Sequence, residues 1–211
     1  MIDKFVPSIE AALEGIGDGA AIMVGGFGAV GQPNELIDAL AARNLRGLTL
    51  IANNAGGDFG GMPKLIERGG IAKVICSYPR ASRRTAFDEL YEAGKIELEL
   101  VPQGTPTSAG TELAAGKETK RINGRDCVLE YAIEADFALI EAWAADRWGN
   151  LTFRRAGRNF NQIMAGAAKV TVASVHRRVE LGALDPDRIV TPGIFVDRVV
   201  MVSEPMEGEA A

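Results

Sequence analysis

Histidine and cysteine are scarce in this chain, with one histidine, His176, and two cysteines, Cys76 and Cys127, in 211 residues. A lone histidine without a positioned partner builds no catalytic triad, and its polar context ahead of Arg177-Arg178 reads as a solvated side chain. No Cys/His grouping has the spacing of metal ligands, so no metal is expected. The cysteines fall in apolar, strand-like runs and read as isolated buried thiols. Long hydrophobic runs are missing as well. None reaches the about 18 residues of a membrane span, and no charged n-region leads into a hydrophobic h-region. No membrane contact and a cytoplasmic location are the expectations. Basic tracts are absent, and Lys+Arg 23 against Asp+Glu 28 leaves a net charge of −5. That balance excludes a nucleic-acid footprint, so any polyanion must be held by a local loop. There is no internal repeat and no low-complexity tract.

What the chain does have is alternation. At this length it can bury a full core as one domain, expected over residues 1–202, with a Glu-, Gly- and Ala-rich tail over 203–211. A short helix, Ser8–Leu13, precedes a strand at Ala20–Val24, and a helix follows over Pro33–Ala42. Further strands are expected at Leu48–Ala52, Ala72–Ser77 and Glu97–Val101, with helices around Pro63–Arg68 and Thr85–Ala93 between them. The second half is richer in strands, at Cys127–Tyr131, Phe137–Ile140, Val170–Ala173 and Ile194–Val202, with a helix from about Asn161 to Ala168. Strands alternating with helices imply βαβ units and a mainly parallel sheet covered on both faces, an α/β fold.

The first strand runs into Val24-Gly-Gly-Phe-Gly-Ala-Val-Gly31-Gln-Pro33. Glycines 25, 26, 28 and 31 allow close approach and φ > 0, and the following helix start offers free N–H groups. Such a turn suits a phosphate-bearing ligand or a thioester-bearing arm, or is simply a tight turn packed under a sheet. Gly26-x-Gly28-x-x-Gly31 also satisfies the spacing of a dinucleotide fingerprint. That fingerprint needs an acid at the end of the second strand, and here the strand ends in Asn53-Asn54.

A set of segments in order along nearly the whole chain resembles the α (A) subunit of family I CoA-transferases. They are Asp18-Gly19 through Pro33, Asn53–Gly56, Phe87–Tyr91, Val101–Gly104, Gly116–Glu118, Ala135–Ile140, Asp146–Leu151, Ala156–Phe160 and Thr191–Ile194. Within that family the likeness is greatest to the 3-oxoadipate:succinyl-CoA transferases, with the succinyl-CoA:3-oxoacid (acetoacetate) transferases next. The resemblance implies a three-layer, mainly parallel CoA-transferase fold and a β-subunit partner of similar fold, in a heterodimer or heterotetramer with the active site at the interface. It implies CoA and acyl-CoA as substrates, succinyl-CoA and an oxoacid among them, with no cofactor covalently bound to this chain. The nucleophile would be a glutamate of the β subunit in a Ser-Glu-Asn-Gly context, which forms an acyl anhydride and then a glutamyl-CoA thioester. This chain has no Ser-Glu-Asn-Gly. Glu112, Glu118, Glu130, Glu134 and Glu141 read as surface or strand-edge charges, and the chain alone should be inert. A non-catalytic CoA- or acyl-binding protein on the same scaffold would look alike in this respect.

The resemblance assigns the CoA-binding loop to Gly25, Gly26, Phe27, Gly28, Ala29, Val30 and Gly31, whose backbone N–H groups suit a developing oxyanion. Gln103 follows a strand end, where its amide either donates to the thioester oxygen or caps a turn. Asn53 and Asn54 either touch substrate or form a turn. Arg80 either holds the distal carboxylate of a dicarboxylic substrate or belongs to a solvated basic loop with Arg83 and Arg84. Arg158-Asn159-Phe160 and Trp148-Gly149-Asn150 read as structural. In relatives a longer Arg- and Gly-containing stretch separates Gly104 from Thr105. Here the two adjoin, and the strain of a direct join favours a longer intervening loop over a true deletion.

Overall fold

The computed structural model describes residues 2–56, 60–79, 81–102 and 114–203. Seven parallel strands form the central sheet in the order β10-β9-β7-β1-β2-β3-β4, and β8 adds antiparallel to β7. They are β1 (Ala21–Val24), β2 (Leu48–Asn54), β3 (Ile71–Tyr78), β4 (Glu97–Leu100), β7 (Ala135–Ala145), β8 (Leu151–Thr152), β9 (Ala168–Arg178) and β10 (Arg198–Met201). A separate hairpin pairs β5 (Thr119–Ile122) with β6 (Arg125–Val128). Its turn is Asn123-Gly124, both at positive φ (49° and 79°), as a two-residue hairpin turn matched to strand twist requires.

The strand sequences are aliphatic because both faces are buried. Ile22, Val24, Leu50, Ala52, Val74 and Leu139 face one cluster, packed against Leu36, Ile37 and Leu40 of α2 (Asn34–Ala42) and Leu65 and Ile66 of α3 (Met62–Glu67). Their strand neighbours Met23, Ile51, Ala138 and Ile140 face a second cluster with Met164 of α5 (Asn161–Met164). α1 (Ile9–Ala12) is opened by Ser8, whose Oγ accepts from Ala11 N at 3.2 Å. α4 (Ala86–Glu92) is opened by Thr85, whose N–H donates to Asp88 at 2.7 Å, half of a capping box.

Several expected elements change, and the strands expected at Phe137–Ile140 and Val170–Ala173 lengthen to Ala135–Ala145 and Ala168–Arg178. Pro33 caps α2 rather than opening it. The strand expected at Cys127–Tyr131 is instead Arg125–Val128, because the Asn-Gly turn fixes the hairpin register. The helix expected to reach Ala168 stops at Met164, since Ala168 already pairs with Ala135 in the sheet. The strand expected at Ile194–Val202 begins only at Arg198. Before it, Gly193–Phe195 makes a 3-10 turn pinned by Gly193 N donating to Asn150 Oδ1 at 2.8 Å.

Candidate functional site

The strand order reverses at β1. From β1 the chain builds outward through β2, β3 and β4 on one side, while β7, β9 and β10 fill the other. Open α/β sheets bind ligands at the carboxyl ends of strands where the order switches, and the glycine loop leaves β1 at that point.

The loop is rigidly built. Gly25 extends the pairing with β7, its N–H donating to Leu139 O at 2.9 Å. Gly26 then turns the chain outward at φ 113°. Phe27 and Val30 exchange two backbone hydrogen bonds (3.0 and 3.1 Å) around the two-residue turn Gly28-Ala29, with Gly28 at φ 59°. Phe27, Gly28 and Ala29 are exposed, and the Phe27 ring stacks on Phe160 at 6.1 Å.

Side-chain amides hold the loop from behind. Asn161, fully buried, donates from Nδ2 to Gly31 O (2.9 Å) and Gly157 O (2.8 Å), while its Oδ1 accepts from Glu141 N at 3.0 Å. Asn159 Nδ2 donates to Val30 O at 2.9 Å, and Gln32 Nε2 donates to Gly28 O. Packing is close enough that a Cβ at Gly25 would stand 1.8 Å from Asn161 Oδ1. Gln32 and Pro33 separate Gly31 from α2, so the last glycine of the dinucleotide spacing does not open the helix as that fingerprint requires.

The second strand brings Asn53 and Asn54 to the same end of the sheet, since Val24 pairs with Ala52. Asn53 is buried, with Nδ2 3.5 Å from Ser77 Oγ, and its carbonyl accepts from that hydroxyl at 3.0 Å. Asn54 Oδ1 accepts from Gly56 N at 2.8 Å, a side-chain turn. Gln103, Arg80 and Glu112 lie outside the described residues, as does the expected tail beyond Ser203.

His176 is not the solvated side chain its neighbours suggest. It is 7 % exposed, on β9. Its Nδ1 lies 2.7 Å from Ser203 O, so that nitrogen carries a proton and donates, and Nε2 stands 3.8 Å from Glu141 Oε1. Burial works against its charge. Glu141, the Ser203 carbonyl and Glu35 outweigh burial and raise its pKa above the ordinary 6.5. Glu141, expected at a surface or strand edge, is half-buried in the middle of β7. Beside the pair, the Trp143 ring carries the guanidinium carbons of Arg154 (4.6 Å) and Arg177 (4.9 Å) over it. Burial also pushes the Cys76 thiol up to about 11, as expected of an inert core cysteine, whereas Cys127 is only half-buried. Among the described residues no three His, Cys, Asp or Glu side chains are placed to hold a metal ion, and no helix is long and apolar enough to cross a membrane.

The coenzyme A transferase family profile matches residues 6–107 and 105–201. The chain belongs to the coenzyme A transferase family. It is 56 % identical over 220 aligned positions to the A chain of the 3-oxoadipate CoA-transferase of Pseudomonas putida, covering 96 % of this chain and 95 % of that one. It is 44 % identical to the corresponding chain of the succinyl-CoA:3-ketoacid coenzyme A transferase of Xanthomonas campestris pv. campestris strain B100, over 93 % of this chain and 88 % of that one. The fold matches that of the acyl-CoA transferase of E. coli O157:H7 in its thioester complex with CoA (TM-score 0.81, 22 % identity). That match covers 99 % of this chain and 49 % of the longer one.

The family match breaks and resumes at 105–107, where the connection was expected to hold a longer loop. The sequence is continuous across Gly104-Thr105. The short connection therefore belongs to the chain itself.

Sequence reasoning missed Gln32, Asn161 and the His176–Glu141 pair, and gave Asn159 no part in the loop. One signal was available. Asn159 and Asn161 follow a Gly in a short segment flanked by aliphatic strands, where buried amides must find backbone partners.

Proposed function

We propose that this chain is the α subunit of a cytoplasmic two-subunit enzyme of aromatic-compound breakdown that moves CoA from succinyl-CoA to 3-oxoadipate. The carrying observation is the identity gap, 56 % to the 3-oxoadipate transferase chain versus 44 % to the 3-ketoacid transferase chain, at nearly equal coverage. The glycine loop at the switch point supports the same reading, because it offers a preformed N–H cradle without offering a nucleophile. The nucleophile is a glutamate in a Ser-Glu-Asn-Gly segment of the β subunit.

The carboxylate attacks the succinyl carbonyl of succinyl-CoA and expels CoA thiolate, leaving a mixed anhydride. The thiolate attacks the glutamyl carbonyl of that anhydride and releases succinate, leaving a glutamyl-CoA thioester. A carboxylate of 3-oxoadipate attacks the thioester carbonyl, thiolate leaves again, and its attack on the oxoadipyl carbonyl frees 3-oxoadipyl-CoA and the glutamate. Each tetrahedral intermediate carries an oxyanion, which the loop of Gly25 to Gly31 stabilises with those backbone N–H groups that it does not already donate within the fold, the Gly25, Phe27 and Val30 N–H groups being so donated. Gln103 donates to the thioester oxygen, Asn53 and Asn54 shape the wall beside the loop, and Arg80 holds the distal carboxylate bidentately.

The test mixes the chain with its β partner and measures transfer to 3-oxoadipate and to acetoacetate. Transfer only in the mixture, with the higher kcat/KM for 3-oxoadipate, is the expected result. Transfer by the chain alone, or a preference for acetoacetate, overturns the reading. Arg80→Ala should lower kcat/KM for 3-oxoadipate more than for acetoacetate, and an equal loss removes Arg80 from the specificity role.

A further inference from the structure

We propose that Gln32 is a positioning residue that aims the Ala29 N–H out of the glycine loop as its oxyanion donor. This rests on the reading that the loop faces the reacting thioester, and it names the donor and what holds it.

Phe27 and Val30 are paired as a minimal hairpin, so Gly28-Ala29 is the central peptide of a two-residue turn. Gly28 is at positive φ and Ala29 is not, the pattern of a type II′ turn. In such a turn the central peptide stands across the hairpin, with its C=O on one side and its N–H on the other. A planar trans peptide points the Gly28 carbonyl and the Ala29 N–H in opposite directions. Whatever fixes the carbonyl therefore fixes the donor.

Gln32 fixes the carbonyl. Its Nε2 donates to Gly28 O from a side chain only 3 % exposed. The other end of the amide, Oε1, is buried without a hydrogen bond among the described residues and lies against Gly60, where an added Cβ would stand 2.3 Å away. Gly26 passes close on the other side, where an added Cβ would stand 2.8 Å from Gln32 Cγ, so the side chain is enclosed by backbone at two glycines. Asn159 and Asn161 hold the Val30 and Gly31 carbonyls in the same manner. Three loop carbonyls that would repel a developing oxyanion are thus turned into the protein. Ala29 is exposed, and its N–H has no partner among the described residues. The Ala29 N–H is therefore left available to an anion at the tip.

Gln32 acts through Ala29, so its removal should lower the rate of the chemical steps and leave substrate affinity nearly untouched. The test uses the assembled two-subunit enzyme. Ala29→Pro deletes the N–H at a position whose φ is already negative, and the loss of one such donor should reduce kcat about 10²- to 10³-fold. Ala29→Ser keeps the N–H, so its kcat should exceed that of Ala29→Pro by at least about tenfold. Gln32→Met keeps the length but not the donor, and should reduce kcat about 10- to 100-fold with KM changed by less than about threefold. The thermal midpoints of all three are read alongside, and Ala29→Ser shows whether the tip tolerates substitution at all. Ala29→Pro at parental kcat, Ala29→Ser as impaired as Ala29→Pro, or Gln32→Met acting through KM each overturns the assignment. If the parent enzyme transfers CoA and these variants behave in those ways, only the donor assignment falls. If the parent assembly transfers none, the functional reading falls and takes this inference with it.

Discussion

Replacing Gly25 by alanine should destabilise the fold by evicting Asn161, and the cost should vanish once Asn161 is already gone. Gly25 does not occupy the left-handed region, so alanine suits its backbone and the penalty is steric. The new Cβ would lie 1.8 Å from Asn161 Oδ1 and 2.8 Å from its Cγ, so that side chain must leave. Leaving breaks the bonds to Glu141 N, Gly31 O and Gly157 O at 3.0, 2.9 and 2.8 Å. A buried backbone group left unpaired costs about 1–3 kcal/mol, and relaxation recovers part of the total. Each single variant, Gly25→Ala and Asn161→Ala, should therefore lose about 3–5 kcal/mol, a large share of a native stability of about 5–15 kcal/mol. In the double variant the next obstacle to the new Cβ is the Cα of residue 161 at 3.5 Å, an ordinary contact. The double variant should then be no less stable than Asn161→Ala, giving a coupling of about 3–5 kcal/mol, the whole loss of Gly25→Ala. Urea unfolding followed by the fluorescence of Trp143 and Trp148 measures all four proteins. Additive losses, or a Gly25→Ala variant within about 0.5 kcal/mol of the parent, would refute the clamp.

Two further outcomes follow from titration and exposure. The folded-state pKa of His176 is raised above 6.5, so the stability its protonated form contributes is complete below that value and is lost as pH rises through the folded-state value. The midpoint difference between the parent and His176→Gln should shrink across that window, and a difference that does not change with pH contradicts the Glu141 pairing. Cys76 is 3 % exposed with its thiol pushed up to about 11, whereas Cys127 sits half-buried on the hairpin. A disulfide reagent should titrate one thiol in the native chain and two in urea, and two native thiols of equal rate would refute the burial of Cys76.

The parallel sheet was legible because its strands are short aliphatic runs between turn residues. Ala21–Val24 and Leu48–Asn54 stand within two residues of where their sequences place them. The glycine loop was legible as a turn, but the means of holding it was not. The amides that hold Val30 and Gly31 lie 129 and 130 residues away in sequence, beyond the reach of any periodicity. His176 misled for a related reason. Its charged neighbours Arg177 and Arg178 describe the exposed end of β9, while burial of the histidine depends on Ser203 and Glu141 from elsewhere in the chain. The Asn123-Gly124 hairpin was written in the sequence, yet the apolar run after it drew the expected strand three residues too far, to Tyr131.

The long sequence separation of the amide clamps has an energetic corollary. A peptide spanning only residues 20–40 lacks Asn159 and Asn161 and has no reason to keep this loop shape, so the cradle exists only when both halves of the chain have docked. Any ligand that selects the loop in that shape binds the native state and ignores the unfolded one. At a hundredfold excess over its dissociation constant it would add about 2.7 kcal/mol to the resistance of the entire polypeptide to unfolding. Occupancy of a seven-residue turn would then protect strands at the far edge of the sheet from proteolysis and from hydrogen exchange that requires global opening.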